Sequence, residues 1–419
     1  MRTAPCASGR RPCDDGRVTL GVYVHIPFCA TRCDYCDFAT WTDRDGLITP
    51  YVDACRSDLA RWRTVGALDA ATSVFFGGGT PSLLPAADLV AILAEVPLAP
   101  GAEVTVECNP DSVDAEKLAA FRAGGVTRLS FGVQSMQPHV LAALNRTHDP
   151  ANVALAVEAA RAAGFDTFNV DLIYGTPGES VADWRDTLEQ ALALEPPHVS
   201  AYALTIEPGT ALGHRVAAGA AAPDDDDQAA KYEVADDCLR AAGLHWYEVS
   251  NWAIPGHECR HNLLHWSCGD YLPVGCAAHG HRSGRRWWNV RTPERYLAAI
   301  ERGADPTGGS EDLDARQQAE ERFSLALRTV TGVALPEAGA PGAGSLRDAC
   351  TRLADAGLLA LDPTGQRAVL TRRGRLLATD VTARLLVAGG GADDAPSPSP
   401  SSSSSSSGVW HSVPLSARP

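Results

Sequence analysis

The feature that most constrains this chain is an alternation kept up from about residue 20 to residue 280. Short runs rich in β-branched and aromatic residues alternate with longer Ala/Leu-rich segments. The strand candidates are residues 22–26, 73–76, 104–107, 128–133, 167–173, 198–205 and 245–249; the helix candidates between them are 51–63, 86–96, 114–123, 150–163, 180–194 and 227–242. Strands separated by crossover helices pair parallel, because a tight hairpin cannot reach a parallel partner. The pattern predicts an α/β fold. Six such units make most of a β/α barrel and are too few to close a regular eight-stranded one. Chemistry in such barrels gathers at the carboxyl ends of the strands, so the residues just after each strand are the ones to read.

Beyond residue 300 the pattern changes, and residues 20–300 and 301–388 are read as separate units. A Pro/Gly-rich break at 304–312 precedes a helix at 315–328. A second helix follows at 346–359 with Gly357 near its end, then a hairpin at 359–370 about Pro363-Thr364-Gly365. Helix, helix, hairpin is the pattern of a small winged-helix-like α+β domain. Lys and Arg number 36 against 51 Asp and Glu, a formal charge of −15, which excludes a phosphate-backbone binder built on clustered cations. The one basic cluster, Arg372, Arg373 and Arg375, reads as a solvated face, and the domain as a structural or docking module.

From residue 389 to 419 glycines, prolines and seven consecutive serines (401–407) cannot bury enough apolar surface to offset ordering entropy, so a disordered tail is expected. The N-terminal extension, residues 1–19 with Cys6 and Cys13, is expected to be loose. No stretch approaches 18 uninterrupted apolar residues and the N-terminus has no apolar signal core, so the chain reads as cytoplasmic. Its twelve cysteines then read as thiols or metal ligands rather than a disulfide scaffold.

Directly after the first strand comes Cys29-Ala-Thr-Arg-Cys33-Asp-Tyr-Cys36. Three thiolates so spaced can converge from one loop on a metal centre. A structural zinc site closes with four ligands, so a zinc reading needs a further donor, Cys55 or a histidine. A four-iron cluster held by three cysteines keeps one iron open to a small chelating molecule. The spacing leaves both open.

The triplet, with an aromatic residue before its last cysteine and with Tyr23-Val24-His25-Ile26-Pro27-Phe28 ahead of it, resembles the radical S-adenosylmethionine (SAM) superfamily. The longer string is similar to the coproporphyrinogen-dehydrogenase-like branch. The resemblance implies a partial (β/α)6 TIM-like barrel and a [4Fe-4S] cluster on Cys29, Cys33 and Cys36. It also implies SAM chelated on the open iron, where a reduced cluster can cleave it to a 5′-deoxyadenosyl radical. Gly77-Gly78-Gly79-Thr80-Pro81, Glu107-Cys108-Asn109-Pro110, Gly132-Val133-Gln134-Ser135 with Asn145-Arg146, the Asp171 segment and Leu204–Thr210 follow in the family's order. By resemblance, SAM contacts fall to Tyr23, Tyr35, Gly78, Gly79, Thr80, Glu107, Gln134, Arg146, Asp171, Ala203 and Cys276. On residue chemistry alone, the glycines allow close backbone approach to a ligand and Glu107 can take ribose hydroxyls. A tight turn, an Asn-Pro turn and a paired buried acid at Asp171 are the plainer readings of these segments.

Two kinds of relative divide this branch. Oxygen-independent coproporphyrinogen III dehydrogenases carry a fourth cysteine where this chain has Phe38. The HemW family of heme chaperones has Cys-Asp-Phe there and a later His-Asn-x-x-Tyr-Trp motif. His261-Asn262-Leu263-Leu264-His265-Trp266 is similar to that motif, with His265 in the tyrosine's place. Gly269-Asp270-Tyr271-Leu272 and Gly275-Cys276-Ala277-Ala278-His279-Gly280 continue the likeness, which runs to about residue 388. The resemblance thus implies a heme chaperone with His261 the best candidate ligand and His265 and Trp266 beside it, since neutral imidazole ligates heme iron and indole offers a flat face. The implied partners are heme, a heme-accepting respiratory protein and an electron donor, with no nucleic acid. Peripheral membrane contact, homodimerisation and SAM cleavage in turnover are left open, and no residue is assigned a catalytic role. The alternatives are an oxygen-independent coproporphyrinogen III dehydrogenase and a zinc-bound scaffold.

Overall fold

A computed structural model of the protein describes residues 19–337 and 339–390. The predicted loose extension with Cys6 and Cys13, and the serine-rich tail from residue 391, lie outside the described residues.

Twelve strands form one sheet: β1 (Leu20–Ile26), β2 (Ala71–Gly78), β3 (Leu98–Cys108), β4 (Arg128–Gln134), β5 (Phe168–Tyr174), β6 (His198–Ala203), β7 (His245–Glu248), β8 (Asn251–Ala253), β9 (Asp270–Val274), β10 (His279–Arg282), β11 (Arg285–Asn289) and β12 (Thr307–Asp312). Their order is β12-β11-β10-β9-β1-β2-β3-β4-β5-β6-β8-β7. From β9 through β1 to β6 every neighbouring pair is parallel, as the alternation predicts for β1 to β6. Successive side chains point to opposite faces of a strand, and β4 shows what this accomplishes: Leu129, Phe131 and Val133 are fully buried in the main core, while Arg128, Ser130, Gly132 and Gln134 line a central cavity. The crossover helices start where side chains cap them. Asp114, Asp149 and Asp224 each accept from a backbone N–H of the first turn, and Ser180 forms a capping box with Asp183.

Three expectations need correction. The seventh strand run is not parallel: β7 and β8 form a hairpin, and β8 pairs antiparallel with both β6 and β7, because the two-residue link between them leaves no length for a crossover. The 304–312 segment is not a mere break, since β12 pairs antiparallel with β11 along the sheet edge. And Arg372 and Arg375 do not form a solvated face. Arg372 bonds Asp237 (2.7 Å) and reaches Asp236 (3.4 Å), and Arg375 bonds Asp236 (3.1 Å) and lies 4.3 Å over the Trp246 ring.

The remainder comprises helices Ala315–Leu327, Ala343–Asp355, Arg372–Leu376 and Ala378–Ala388 and a small sheet of β13 (Val333–Ala334), β14 (Leu359–Leu361) and β15 (Arg367–Leu370), in the order β13-β15-β14. It has its own buried cluster, including Leu327, Leu346, Cys350, Leu359, Val381 and Leu385. Among the described residues no helix is long and apolar enough to cross a membrane.

Candidate cofactor site

The cysteine loop leaves β1 and is closed at its base, where Cys29 N–H donates to Trp41 O (3.0 Å) and Trp41 N–H to Pro27 O (2.8 Å). Its middle is pinned from outside. Asp34 N–H donates to Leu144 O (3.2 Å), Leu212 N–H to Asp34 O (2.8 Å), Asn145 Nδ2 to Asp34 Oδ1 (3.0 Å), and Arg215 pairs with the same carboxylate. The irregular loop between Cys29 and Trp41 is thereby held in place, leaving its thiols facing inward. Thr80 Oγ1 donates to Cys29 Sγ (3.8 Å) and Arg146 Nη1 to Cys33 Sγ (3.6 Å). Burial pushes the Cys29 thiol up and that of Cys36 up to about 12.

These thiols open onto a cavity of ≈ 290 Å³. Of the residues assigned to SAM by resemblance, Tyr35, Gly78, Gly79, Thr80, Glu107, Gln134, Arg146 and Asp171 line it, and Tyr23, Ala203 and Cys276 do not. Tyr23 stands one ring behind the wall, stacked on Phe75 at 6.3 Å. Cys276 is buried with its thiol at 3.5 Å from the Tyr51 hydroxyl; Ala203 ends β6, half-buried. Gly79 must be glycine for packing: a Cβ there would lie 2.6 Å from Phe28 O and 2.8 Å from Ile26 O. Gly78 adopts φ +106° and donates to Glu107 Oε2 at 3.1 Å. Burial, with the neighbouring Asp171 charge, raises the Glu107 carboxyl to about 8. Asp171 is raised by burial against bonds from Ser130 (2.7 Å) and Asn169 (2.8 Å).

Sequence reasoning missed the inner wall. Arg128, Ser130, Asn169, His198 and Asn262 also line the cavity, joined in part by Asn169–Ser130 (2.8 Å) and His198–Asn169 (2.6 Å) bonds. Along β4 the alternation of Arg128 and Ser130 with apolar Leu129, Phe131 and Val133 could have pointed to two of them.

The histidine motif forms the helix Arg260–Trp266. Glu103 on β3 accepts from the N–H groups of Arg260 (3.1 Å) and His261 (3.0 Å), fixing the helix start. His261 is fully enclosed, with Nδ1 2.9 Å from Ser73 Oγ and its ring stacked on Phe75 at 5.3 Å. One turn on, His265 meets His261 edge-on at 5.0 Å and Tyr271 at 4.3 Å. Burial lowers both imidazoles, His265 to about 4, so both are neutral near pH 7. His265 and Trp266 face a second cavity of ≈ 310 Å³, while His261 lines neither cavity.

The radical SAM superfamily model matches residues 23–191. The chain is 46% identical over 377 residues to the heme chaperone HemW of Mycobacterium tuberculosis, covering 88% of this chain and 95% of that one. It is 32% identical to the Bacillus subtilis HemW over 87% of this chain and 98% of the relative. This chain belongs to the HemW family of the radical SAM superfamily. Its fold is that of the Escherichia coli coproporphyrinogen III oxidase HemN, a radical SAM enzyme: TM-score 0.76 at 22% identity, covering 88% and 90% of the two chains. The superfamily match takes in the three cysteines and every SAM-assigned residue except Ala203 and Cys276. The histidine helix lies beyond it, within the reach of the HemW likeness.

Proposed function

We propose that this HemW-family chain is a heme chaperone that holds a [4Fe-4S] cluster through Cys29, Cys33 and Cys36, takes SAM in the adjoining cavity, and carries heme to a respiratory hemoprotein. The observation that carries the reading is the convergence of the three thiols, Gly78–Thr80, Glu107, Gln134, Arg146 and Asp171 on one cavity. The residues fit these groups. Arg146 beside Cys33 offsets thiolate charge, the bare Gly79 backbone admits close approach, and the buried Arg146 Nε and Thr105 Oγ1 lack hydrogen-bond partners that a polar ligand would satisfy. A bound cluster supplies an electron and one iron with an open coordination position. Because burial holds Cys29 and Cys36 protonated, cluster assembly on this loop releases protons and is favoured by rising pH.

The zinc scaffold is less well supported. Cys55, one of the further donors it would need, is fully buried away from the cavity wall.

Anaerobic reconstitution tests the reading. Wild-type protein is expected to take up about four irons per chain and to bind ferric heme stoichiometrically. Cys33→Ser should lose the cluster's visible absorption while keeping the wild-type far-UV circular dichroism. A full cluster in Cys33→Ser would overturn the ligand assignment, and decarboxylation of coproporphyrinogen III by the wild-type protein would replace the chaperone with the dehydrogenase.

A further inference from the structure

Resting on the heme-carrying reading, we infer that the heme-iron ligand is His265, facing the cavity between the β9–β12 sheet and the Ala315–Leu327 helix, and that His261 is a positioning residue in the wall behind it. An axial ligand needs a nitrogen lone pair that opens into space for the iron and one face of the macrocycle. His261 has no such space. Phe75 covers one face of its ring, Ser73 holds Nδ1, and a Cβ placed on Gly21 of β1 would sit 3.2 Å from its Cε1. Its ring could reach iron only by leaving the core.

His265 meets both requirements. Its side chain is nine-tenths buried and its Nε2, like that of His261, has no hydrogen-bond partner, a state that costs free energy unless something binds there; of the two rings only that of His265 adjoins a cavity. It is part of the wall of the second cavity, whose apolar lining includes Trp266, Tyr271, Leu313, Leu325 and Leu386. Those residues offer a macrocycle flat and aliphatic surfaces on one side. Tyr271 lies edge-on at 4.3 Å from the His265 ring and fixes its plane. Arg286 lines the same cavity, paired with both Glu321 and Glu311. Glu311 and Gln317 form an exposed margin, through which the rest of the macrocycle projects to solvent. Partial exposure suits a carrier that must release its cargo.

His261 acts through contact. Its edge-on approach to His265 at 5.0 Å sets that ring's rotamer, and its stacking on Phe75, which lines the first cavity, places one side-chain wall between the two sites.

The test is ferric heme titration of reconstituted full-length protein, followed by absorption and electron paramagnetic resonance. His265→Ala should weaken heme binding roughly tenfold or more and abolish the nitrogen-ligand signature, with cluster content unchanged. Added imidazole should restore that signature. Leu325→Trp, which fills the cavity and leaves every histidine in place, should weaken heme binding likewise. His261→Gln, able to keep the Ser73 bond, should retain a nitrogen-ligated spectrum with a perturbed signal. An unaltered heme spectrum in His265→Ala, with ligation lost in His261→Gln, would overturn the assignment while leaving the chaperone reading intact. Wild-type protein that binds no heme would remove the reading itself, and this inference with it.

Discussion

Glu107 is a carboxyl with no cation at hand and one backbone N–H to accept from, which is why burial holds it protonated up to about pH 8. In the unfolded chain the same group titrates near the ordinary Glu value. Between those two values the folded state binds more protons, so stability falls as pH rises through that window. A displacement of this size corresponds to something on the order of 5 kcal/mol. Glu107→Gln keeps an acceptor for Gly78 and lacks the titration. In the cofactor-free protein, its stability relative to wild type should therefore rise between about pH 5 and pH 9, as read by urea midpoints across that range. Parallel curves would show that Glu107 ionises freely in the folded protein. The cysteines and Glu107 were legible because each motif is local, a residue type at a fixed step from a strand end. Arg128, Asn169 and His198 were not: they meet only across three strands, and each alone is an unremarkable polar residue. The surroundings of His265 were still harder to read, since Leu313, Leu325 and Leu386 reach it from 48 to 121 residues away.

At the level of elements, the first parallel strands share a local constraint where β1 and β2 end. Gly79 N–H donates to Ile26 O (2.8 Å) and Thr80 N–H to Phe28 O (2.8 Å), so the glycine segment is sewn to the stem of the cysteine loop. A methyl at Gly79 meets the backbone of Ile26 and Phe28, and backbone cannot rotate away. Gly79→Ala should cost about 1–3 kcal/mol by overpacking and displace the Cys29 stem, lowering cluster yield more than Cys55→Ala, whose site lies in the helix behind. Equal yields from the two variants would mean the stem tolerates the shift. The parallel units were readable because apolar runs and capped helices repeat. β10 to β12 were not. His279–Arg282 and Arg285–Asn289 mix charge with aromatics, and Thr307–Asp312 is largely exposed, so no apolar alternation marks them. What holds them is pairing to β9 and to one another.

At the scale of the molecule, the question is how the barrel and the region after residue 312 come to enclose a cavity together. Their junction turns on Asp236, fully buried in helix Asp225–Ala241, which accepts from Trp252 Nε1 (2.9 Å) and Arg375 Nη1 (3.1 Å) and lies 3.4 Å from Arg372 Nε. Val330 N–H adds a bond to Tyr247 O (2.9 Å), and Arg286 of β11 pairs with Glu321. Removing one partner of a buried ion pair leaves the other charge uncompensated, at about 3–5 kcal/mol. Asp236→Ala therefore strands Arg375 against Tyr232 and Trp246 without an anion. The small cluster around Leu346 and Leu385 is expected to melt ahead of the barrel, splitting the calorimetric transition by about 10 °C or more. Leu325 and Leu386, which line the second cavity, belong to that loosened part, so heme affinity should fall with it while cluster content holds. A single unsplit transition with heme affinity intact would confine Asp236 to its own helix and leave the two regions joined by their other contacts.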